Sequence, residues 1–137
     1  MSTVFSRIFA GEIPAAIVHE DALCVAFMDA GQVNPGHVLV ASRREVATFT
    51  DLTEDEAAHI FRIAHRIARA VQKAFPAPGM TLLQANNPEG WQTVPHFHVH
   101  VLPRFADDGA DLTWPRPDPG LEALREYGEK VRAALGT

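Results

Sequence analysis

Residues 93–104 read TVPHFHVHVLPR. Apolar residues recur at every second position of this segment, which predicts a β-strand over residues 94–102. Because successive side chains of a strand point to opposite faces, three histidines share one face and three apolar side chains share the other: His96, His98 and His100 against Phe97, Val99 and Val101. We expect the apolar side to pack beneath a helix and the histidine row to face an open cleft.

The long helix that could cover this strand is predicted to begin at Thr53. Residues 53–56 read TEDE, a capping-box pattern in which Thr53 and Glu56 bond each other's backbone amides. Apolar residues then recur at spacings of three and four until Pro76 ends the run. The predicted apolar stripe consists of Ala57, Ile60, Phe61, Ala64, Ile67, Ala68, Val71 and Phe75. His59 and His65 are assigned to a polar or flanking face of this helix.

Shorter apolar runs predict the remaining elements. Residues 16–19 and 24–28 flank an acidic turn and predict a β-hairpin, in which His19 is a strand-end residue without chemistry. Residues 37–41 and 80–84 predict two more strands, and residues 121–135 predict a weaker C-terminal helix with an apolar stripe. The expected fold class is α+β, with one antiparallel β-sheet, one long helix packed on it and a C-terminal helix.

Size and charge restrict the class of protein. The chain has 137 residues, 47% of them hydrophobic, which predicts a single domain over residues 1–137. A net charge of −5 provides no positive field for nucleic acid, so we expect no nucleic-acid partner. The only cysteine, Cys24, is expected to be a buried apolar residue of a protein from a reducing compartment. With no secretion signal and no long apolar run, the expected location is cytoplasmic, away from membranes.

The histidine row admits two kinds of site. The imidazoles could bind a metal, with His37 or a carboxylate completing the shell. Alternatively, one imidazole could act as a nucleophile while the others donate hydrogen bonds to an anion. No acidic residue flanks the row, and the preceding loop offers amides and a hydroxyl that suit phosphate oxygens. These features favour the second interpretation. Arg104 is either a nearby cation or a solvated strand end.

The same residues carry a resemblance to a known family. Residues 96–102, HFHVHVL, match the His-x-His-x-His motif of the histidine triad (HIT) superfamily, in which two apolar residues follow the last histidine. Residues 8–14, IFAGEIP, resemble the opening segment of that family, and residues 34–40, NPGHVLV, resemble its Pro-Gly-His strand. The resemblance spans residues 5–102 and is greatest to the Hint-like or bacterial hydrolase branch. It implies a single HIT domain.

The resemblance also implies an activity. Members act on nucleoside 5′-phosphate derivatives and displace a group from the α-phosphorus in two steps. Carried over, His98 is the nucleophile that forms a nucleotidyl-histidine intermediate, His100 and His37 donate to phosphate oxygens or the leaving group, and His96 orients its neighbours. Nucleoside 5′-phosphoramidates are the first expected substrates. The alternatives are a dinucleoside polyphosphate hydrolase of the diadenosine tetraphosphate type and a nucleotide-binding module with vestigial turnover.

Further positions match the substrate-binding residues of the family. The resemblance assigns Asp29 to the ribose hydroxyls. It assigns Val4, Phe5, Ile8 and Phe27 to the base pocket, and Asn86, Gln92 and Thr93 to the polar groups around the α-phosphate. Trp91 departs from the pattern because the family generally has glycine there. A bulky side chain at this position could narrow the phosphate groove or cover the leaving-group side.

The resemblance bears on metals and partners as well. Many bacterial relatives carry a Cys-x-x-Cys pair and a further histidine that hold a structural zinc, whereas this chain has Thr3, Ser6 and Glu45 at those positions. We therefore expect no structural zinc and no cofactor, with magnesium entering only as the counter-ion of a polyphosphate substrate. The expected partners are a small nucleotide substrate and a second copy of the chain in a homodimer.

Overall fold

The computed structural model describes residues 2–136. In this range the helices and strands follow one another as α1 (Val4–Phe9), β1 (Ile17–Glu20), β2 (Cys24–Met28), β3 (Val38–Ser42), α2 (Glu54–Ala74), β4 (Gly79–Gln84), β5 (His98–Arg104) and α3 (Leu121–Ala134). Two short 3₁₀ turns, Phe49–Asp51 and Pro88–Gly90, precede α2 and β5. None of the helices in the described range is long and apolar enough to cross a lipid bilayer.

The strands form one antiparallel sheet in the order β1-β2-β3-β5-β4. The α+β class with a single antiparallel sheet is therefore confirmed. β3 lies between β2 and β5, and its register pairs Leu39 with His100 and Ala41 with His98. This register brings His37, the residue before β3, to the same end of the sheet as His100.

Helix α2 covers one face of the sheet. Its N-terminus carries the predicted capping box, since Thr53 accepts from the amide of Glu56 and the Glu56 side chain accepts from the amide of Thr53. The core on this face consists of Cys24, Ala26, Val38, Val40, Ile60, Ile63, Ala64, Val71, Phe97, Val99 and Val101. Burying a large apolar side chain contributes about 1.5–3 kcal/mol. The predicted packing of Phe97, Val99 and Val101 beneath the helix is confirmed.

The predicted helix stripe is wrong at two positions. Phe61 and Phe75 are 41% and 42% exposed, whereas Ile63 is buried. Phe61 instead lies at the edge of the helix and meets the ring of Phe49, with centroids 5.9 Å apart. The helix is rotated so that Ile60, Ile63 and Ala64 face the sheet.

The opposite face of the sheet is covered by α1, a helix that the sequence patterns did not predict. Phe5 packs there with Val25, Phe27, Leu39 and Ala41 in a second core. Side chains alternate along β5, so His98 and His100 project to this face while Val99 and Val101 project to α2. The short helix α1 therefore forms part of the wall around the histidines.

One predicted boundary and one predicted apolar stripe require correction. β5 begins at His98, not at residue 94, because residues 93–96 bend and His96 donates its amide to the carbonyl of Val94 at 2.8 Å. His96 therefore lies outside the strand. α3 is present, but none of its residues is buried, and its apolar side chains Leu121, Leu124 and Val131 are exposed.

The turn before β3 depends on Gly36. This residue has a φ of +103°, a conformation that L-residues with side chains rarely adopt. A Cβ atom at this position would also lie 2.9 Å from the Phe75 ring. The glycine thus allows the chain to turn tightly under the end of α2 and deliver His37 to the start of β3.

Candidate active site

His98 opens β5 and has a defined tautomer. Its Nδ1 donates to the backbone carbonyl of His96 at 2.7 Å. A carbonyl oxygen can only accept, so Nδ1 carries the ring proton and the lone pair of neutral His98 lies on Nε2. The Phe5 ring meets His98 edge-on, with centroids 4.9 Å apart and planes at 89°. This contact holds the plane of the imidazole.

His37 and His100 form a hydrogen-bonded pair. The amide of Val33 donates to His37 Nδ1 at 3.4 Å, which assigns the ring proton of neutral His37 to Nε2. Nε2 of His37 then donates to Nδ1 of His100 at 2.9 Å, and the proton of neutral His100 lies on its own Nε2. The His98 and His100 rings have centroids 5.0 Å apart. One ring therefore offers a lone pair and its neighbour offers an N–H donor.

The free Nε2 atoms of His98 and His100 reach solvent, although the His98 residue is only 6% exposed. Within residues 2–136, every side-chain nitrogen or oxygen that is sealed from solvent has a hydrogen-bond partner. The hydrogen bonds of these two rings are made through Nδ1, so their unbonded Nε2 atoms lie at the protein surface. The expectation of an open row is wrong for His96, which is completely buried.

Burial lowers the pKa of His37, His96, His98 and His100, because the charged imidazolium is disfavoured away from water. For His100, burial and then the neighbouring His98 and His37 lower the pKa to about 4. All four rings are therefore neutral at pH 7. A neutral His98 keeps the lone pair that a nucleophile requires.

The lowered histidine pKa values predict how stability depends on pH. In the unfolded chain these rings take up protons below about pH 6.5, whereas the folded protein binds them only at lower pH. Their contribution to stability is therefore complete above about pH 6.5 and is lost as the pH falls from there towards about 4. Urea unfolding across this range should show a decreasing free energy of unfolding. His100→Asn should flatten the dependence, whereas substitution of the exposed His65 should not. Equal slopes in both variants would contradict the assignment.

His96 is held by bonds to both of its ring nitrogens. Its Nε2 donates to the carbonyl of Ser42 at 2.7 Å, so Nδ1 carries the lone pair of the neutral ring and accepts from the Thr3 hydroxyl at 2.6 Å. Glu45 accepts from the Thr3 amide at 2.9 Å and from the Ser6 hydroxyl at 2.5 Å. The start of α1 is thereby tied to the residue whose carbonyl orients His98.

We expect Thr3→Val to lower thermal stability. Valine has nearly the same shape but leaves Nδ1 of the buried His96 without a partner and removes the N-cap of α1, where the Thr3 hydroxyl accepts from the Ser6 amide. Each loss costs about 1–2 kcal/mol, which corresponds to a fall in melting temperature of several degrees. Thr3→Ser keeps the hydroxyl and should be close to wild type. Equal melting temperatures for the two variants would show that the hydroxyl contributes nothing.

A cleft of about 460 Å³ lies beside the histidines. Its lining includes Val4, Phe5, Ile8 and Phe27, so the structure brings the four predicted base-pocket residues together. Phe5 both lines the cleft and contacts His98. Leu39 of β3 also lines the cleft, and the sequence patterns did not single it out. It lies two residues after His37, so alternation along the extended chain places both side chains on one face.

Asp29 lies between this cleft and the histidine pair. Its Oδ1 accepts from the Gly31 amide at 2.8 Å, and its Oδ2 lies 3.4 Å from His37 Nε2. No acidic residue flanks the histidine row in the sequence, but Asp29, which directly follows β2, places a carboxylate beside it in the structure. Single ligand atoms of Asp29, His37 and His100 lie within 4.8 Å of one another, close enough to hold a metal ion.

The family model described as "HIT domain" matches residues 10–107. The chain belongs to the HIT family.

Solved and curated HIT proteins agree with this assignment. A HIT family protein from Bacillus anthracis has a crystal structure that is 32% identical, with a TM-score of 0.90 over 96% of this chain and 95% of that chain. The Arabidopsis thaliana protein named bifunctional bis(5′-adenosyl)-triphosphatase/adenylylsulfatase FHIT is 36% identical over 122 residues, 89% of this chain and 65% of its own length. The adenosine 5′-monophosphoramidase hnt1 of Schizosaccharomyces pombe is 27% identical over 136 residues, 98% of this chain and 99% of its own length. The predicted HIT fold is confirmed.

The residues of this HIT chain at the zinc positions of bacterial relatives do not fit a structural zinc. Thr3 and Ser6 supply hydroxyls where thiolates are the usual ligands, and these hydroxyls bond His96 and Glu45. Both ring nitrogens of His96 are already bonded. The hydrogen bonds described above hold the four residues together instead.

The side-chain amides of the loop before the HIT motif form hydrogen bonds to neighbouring residues of the protein. Asn86 accepts from the amide of Phe49 at 2.8 Å and is paired with Gln84. Gln92 donates to the carbonyl of Ala47 at 2.6 Å and accepts from the amide of Asn87 at 2.9 Å. No hydrogen bond in residues 2–136 joins either side chain to the histidines. Their amide groups close the loop, and Thr93 is exposed.

Trp91 has an unusual backbone in the same loop. Its φ is 77°, in the left-handed region, and its side chain is 55% exposed. This conformation favours glycine, which accounts physically for the glycine that the family generally has there. The tryptophan therefore combines backbone strain with an exposed indole beside the HIT motif.

Arg104, the last residue of β5, is fully engaged away from the histidines. Its guanidinium forms two bonds to the carboxylate of Asp108, at 2.7 and 3.1 Å, and donates to the carbonyl of Ala110 at 2.9 Å. Asp108 also accepts from the side chain of Asn34 at 2.9 Å. The guanidinium therefore anchors the segment after β5 to the sheet.

Proposed function

We propose that this protein is a nucleotide hydrolase that cleaves at the α-phosphate through a covalent nucleotidyl group on His98. The observation that carries the proposal is the bond from His98 Nδ1 to the His96 carbonyl, which leaves an accessible lone pair on Nε2. Membership of the HIT family and the hydrolase names of two relatives support the same class of reaction.

The proposed reaction has two displacements at phosphorus. In the first, His98 Nε2 bonds to the α-phosphorus and the bond to the leaving group breaks, with its electron pair going to the leaving group. The imidazolium formed keeps its Nδ1 proton, which the His96 carbonyl stabilises. In the second, water attacks phosphorus and the N–P bond breaks. The proton released from water balances the proton that the leaving group takes up.

His100 and His37 act on charge that develops during both steps. Nε2–H of neutral His100 is the donor directed at the site, because Nδ1 of that ring accepts from His37. We assign it to an oxygen of the α-phosphate or to the leaving group. A hydrogen-bond donor that is already positioned where negative charge develops in the transition state commonly increases the rate by a factor of about 10²–10³.

The nucleoside is proposed to bind in the cleft lined by Phe5, Phe27 and Asp29. Apolar and aromatic walls suit a base, and a carboxylate can accept from both ribose hydroxyls. The geometry favours a substrate with its base deep in this cleft and its α-phosphate at His98, since Phe5 contacts both regions.

The leaving group separates two candidate substrate classes. Nucleoside 5′-phosphoramidates are our first choice, and dinucleoside polyphosphates are the second. Initial rates for both classes should be compared with the same protein preparation. If the rate constants for both substrate classes equal those of the uncatalysed reaction in buffer, the protein is instead a nucleotide-binding module with vestigial turnover.

The covalent intermediate is the direct test of the proposed function. Rapid acid-free quenching of the wild-type protein with substrate, followed by mass spectrometry, should reveal one added nucleotidyl group on the peptide containing His98. Turnover in the absence of any such adduct, at times shorter than one catalytic cycle, would indicate direct attack by water.

A metal enzyme is the second candidate because Asp29, His37 and His100 converge. The direct 2.9 Å hydrogen bond between the two histidines argues for the metal-free reaction. We expect chelation to leave hydrolysis of a phosphoramidate unchanged. Activity that disappears on chelation and returns with stoichiometric zinc would favour the metal enzyme.

We also propose a homodimer. β4 forms an edge of the sheet and has unpaired backbone groups, and its Leu82 side chain is 52% exposed. The apolar side chains of α3 are exposed as well. Light scattering during gel filtration should give about twice the 15.0 kDa chain mass.

A further inference from the structure

A second group of metal-ligating side chains lies away from the histidine triad, where β1, β2 and α2 meet. It is centred on Asp21 in the turn between β1 and β2. His19 and His59 both donate through Nε2 to Asp21 Oδ2, at 2.8 and 2.7 Å. The thiol of Cys24 lies 3.6 Å from the same oxygen. Three separate segments of the chain therefore direct soft or borderline donors to one point.

The carboxylate at the centre of this group is fixed in orientation. Asp21 Oδ1 accepts from the amides of Leu23 and Cys24, at 2.8 and 2.9 Å, so Oδ2 is left for the side chains. Burial by itself would raise the pKa of Asp21, but the bonds from His19, His59 and the two amides hold it well below its usual range. The group is therefore a carboxylate at neutral pH.

The distances that join His19, His59 and Cys24 to Asp21 Oδ2, 2.7–3.6 Å, are close to the ligand separations around tetrahedral zinc. Zinc binds nitrogen and oxygen at about 2.0–2.2 Å and sulfur at about 2.3 Å, so neighbouring ligands lie roughly 3.3–3.6 Å apart. Ligand atoms of His19, Asp21 and Cys24 already lie within 4.8 Å of one another. The imidazoles would have to move outward from the carboxylate by about 0.5–0.9 Å. His59, whose ligand atom is not within 4.8 Å of all three of the others, would have to approach them as well.

We infer that His19, Asp21, Cys24 and His59 form a zinc site that is separate from the catalytic histidines. Two imidazoles, one thiolate and one carboxylate are a donor set that suits Zn²⁺ and disfavours Mg²⁺ and Ca²⁺. The side chains of His19, Asp21 and His59 are each about one quarter to one third exposed, which provides a path for the ion. Cys24 closes the inner side of the site because it is fully buried.

Charge and protons balance on binding. The ion replaces the hydrogen bonds of both imidazoles, which bind it through Nε2 after the ring proton moves to Nδ1. Zinc binds cysteine as the thiolate, so binding releases the thiol proton of Cys24, and the two negative ligands, Cys24 and Asp21, neutralise the ion. Arg43, which donates to the Asp21 carbonyl at 2.8 Å, and Glu20, which is paired with it, are the other charged groups nearby.

The single cysteine of the chain makes the test specific for this site. Cobalt(II) is the spectroscopic probe for zinc, and a thiolate–cobalt bond gives an intense charge-transfer band that imidazole and carboxylate ligands do not give. We expect Co²⁺ added to the full chain to produce this band at one equivalent, and Zn²⁺ to abolish it by displacement. Ca²⁺ and Mg²⁺ should have no effect. Absence of the band at millimolar Co²⁺ would overturn the inference.

Variants separate this site from the catalytic histidines. His59→Gln and His19→Gln should each weaken cobalt binding by about tenfold or more, because each removes one ligand from a partly exposed position. His37→Asn and His100→Asn should leave the band unchanged. Cys24→Ser should abolish the band, and circular dichroism will show whether that variant folds. A band that is insensitive to both His19 and His59 would overturn the four-residue site even if Cys24 binds the metal. This outcome is independent of whether the protein hydrolyses nucleotides.

Discussion

His98→Ala should lower the turnover number by on the order of 10⁴-fold while leaving nucleotide binding largely intact. The variant removes the one ring, among those of residues 2–136, whose Nδ1 is held by a backbone carbonyl and whose Nε2 is free for attack. The apolar lining of the cleft proposed for the nucleoside and the carboxylate of Asp29 remain in place. Single-turnover rates and the dissociation constant of a nucleoside monophosphate should therefore change by very different amounts.

Two further variants distinguish a loss of chemistry from a loss of folding. His98→Asn retains a side-chain N–H that can donate to the His96 carbonyl, so it should fold like wild type and remain inactive. His65→Ala lies on the exposed side of α2 and should retain full activity. Imidazole added to His98→Ala should restore part of the rate by occupying the space of the missing ring. Wild-type rates in both His98 variants would assign the nucleophile to another group.

The fold was largely predictable because its determinants are local patterns. The capping box at Thr53 and the proline after Phe75 fixed the long helix within two residues at either end. Alternation placed Val99 and Val101 against that helix. The start of β5 was not predictable by these means, because period-two alternation continues through residues 94–97 while the backbone there bends to bond residues outside the sheet.

The residues of the candidate site were predictable from the sequence, but the contacts between them were not. Sequence alone placed His98 and His100 on one face, but the contacts that define their chemistry come from distant segments. Thr3 lies 93 residues from His96 and His37 lies 63 residues from His100, and no pattern within either segment reports these bonds. The same holds for His19 and His59, which were assigned no chemistry because their shared partner, Asp21, becomes visible only when β1 and α2 are folded together.

These contacts give the four histidines different roles. Rings that reach solvent through Nε2 are available for reaction, whereas His96, with both nitrogens bonded, is available only to hold its neighbours. The buried environment that keeps all four rings neutral also makes them costly to protonate. The burial that keeps the lone pair of His98 free at neutral pH is therefore the same one that weakens the fold in acid.

Asp29→Ala should raise the Michaelis constant for a nucleotide substrate by about 10- to 100-fold and should change the turnover number much less. Hydrogen bonds to a charged group contribute about 1.5–3 kcal/mol to binding. Because the ribose contacts Asp29 equally in the ground state and in the transition state, loss of the carboxylate weakens substrate binding without raising the barrier from the bound substrate. The carboxylate lies 3.4 Å from His37 without forming a hydrogen bond to it, so His37 keeps its bond to His100 in the variant.

A substrate lacking both ribose hydroxyls provides the matching half of a double-mutant cycle. The 2′,3′-dideoxy analogue should bind the wild-type protein as weakly as the normal substrate binds Asp29→Ala, and the two changes together should cost little more than either alone. Asp29→Asn controls for the turn, because its side-chain oxygen can still accept from the Gly31 amide. If the losses are additive, or if the turnover number falls while the Michaelis constant is unchanged, Asp29 acts on His37 and not on the ribose.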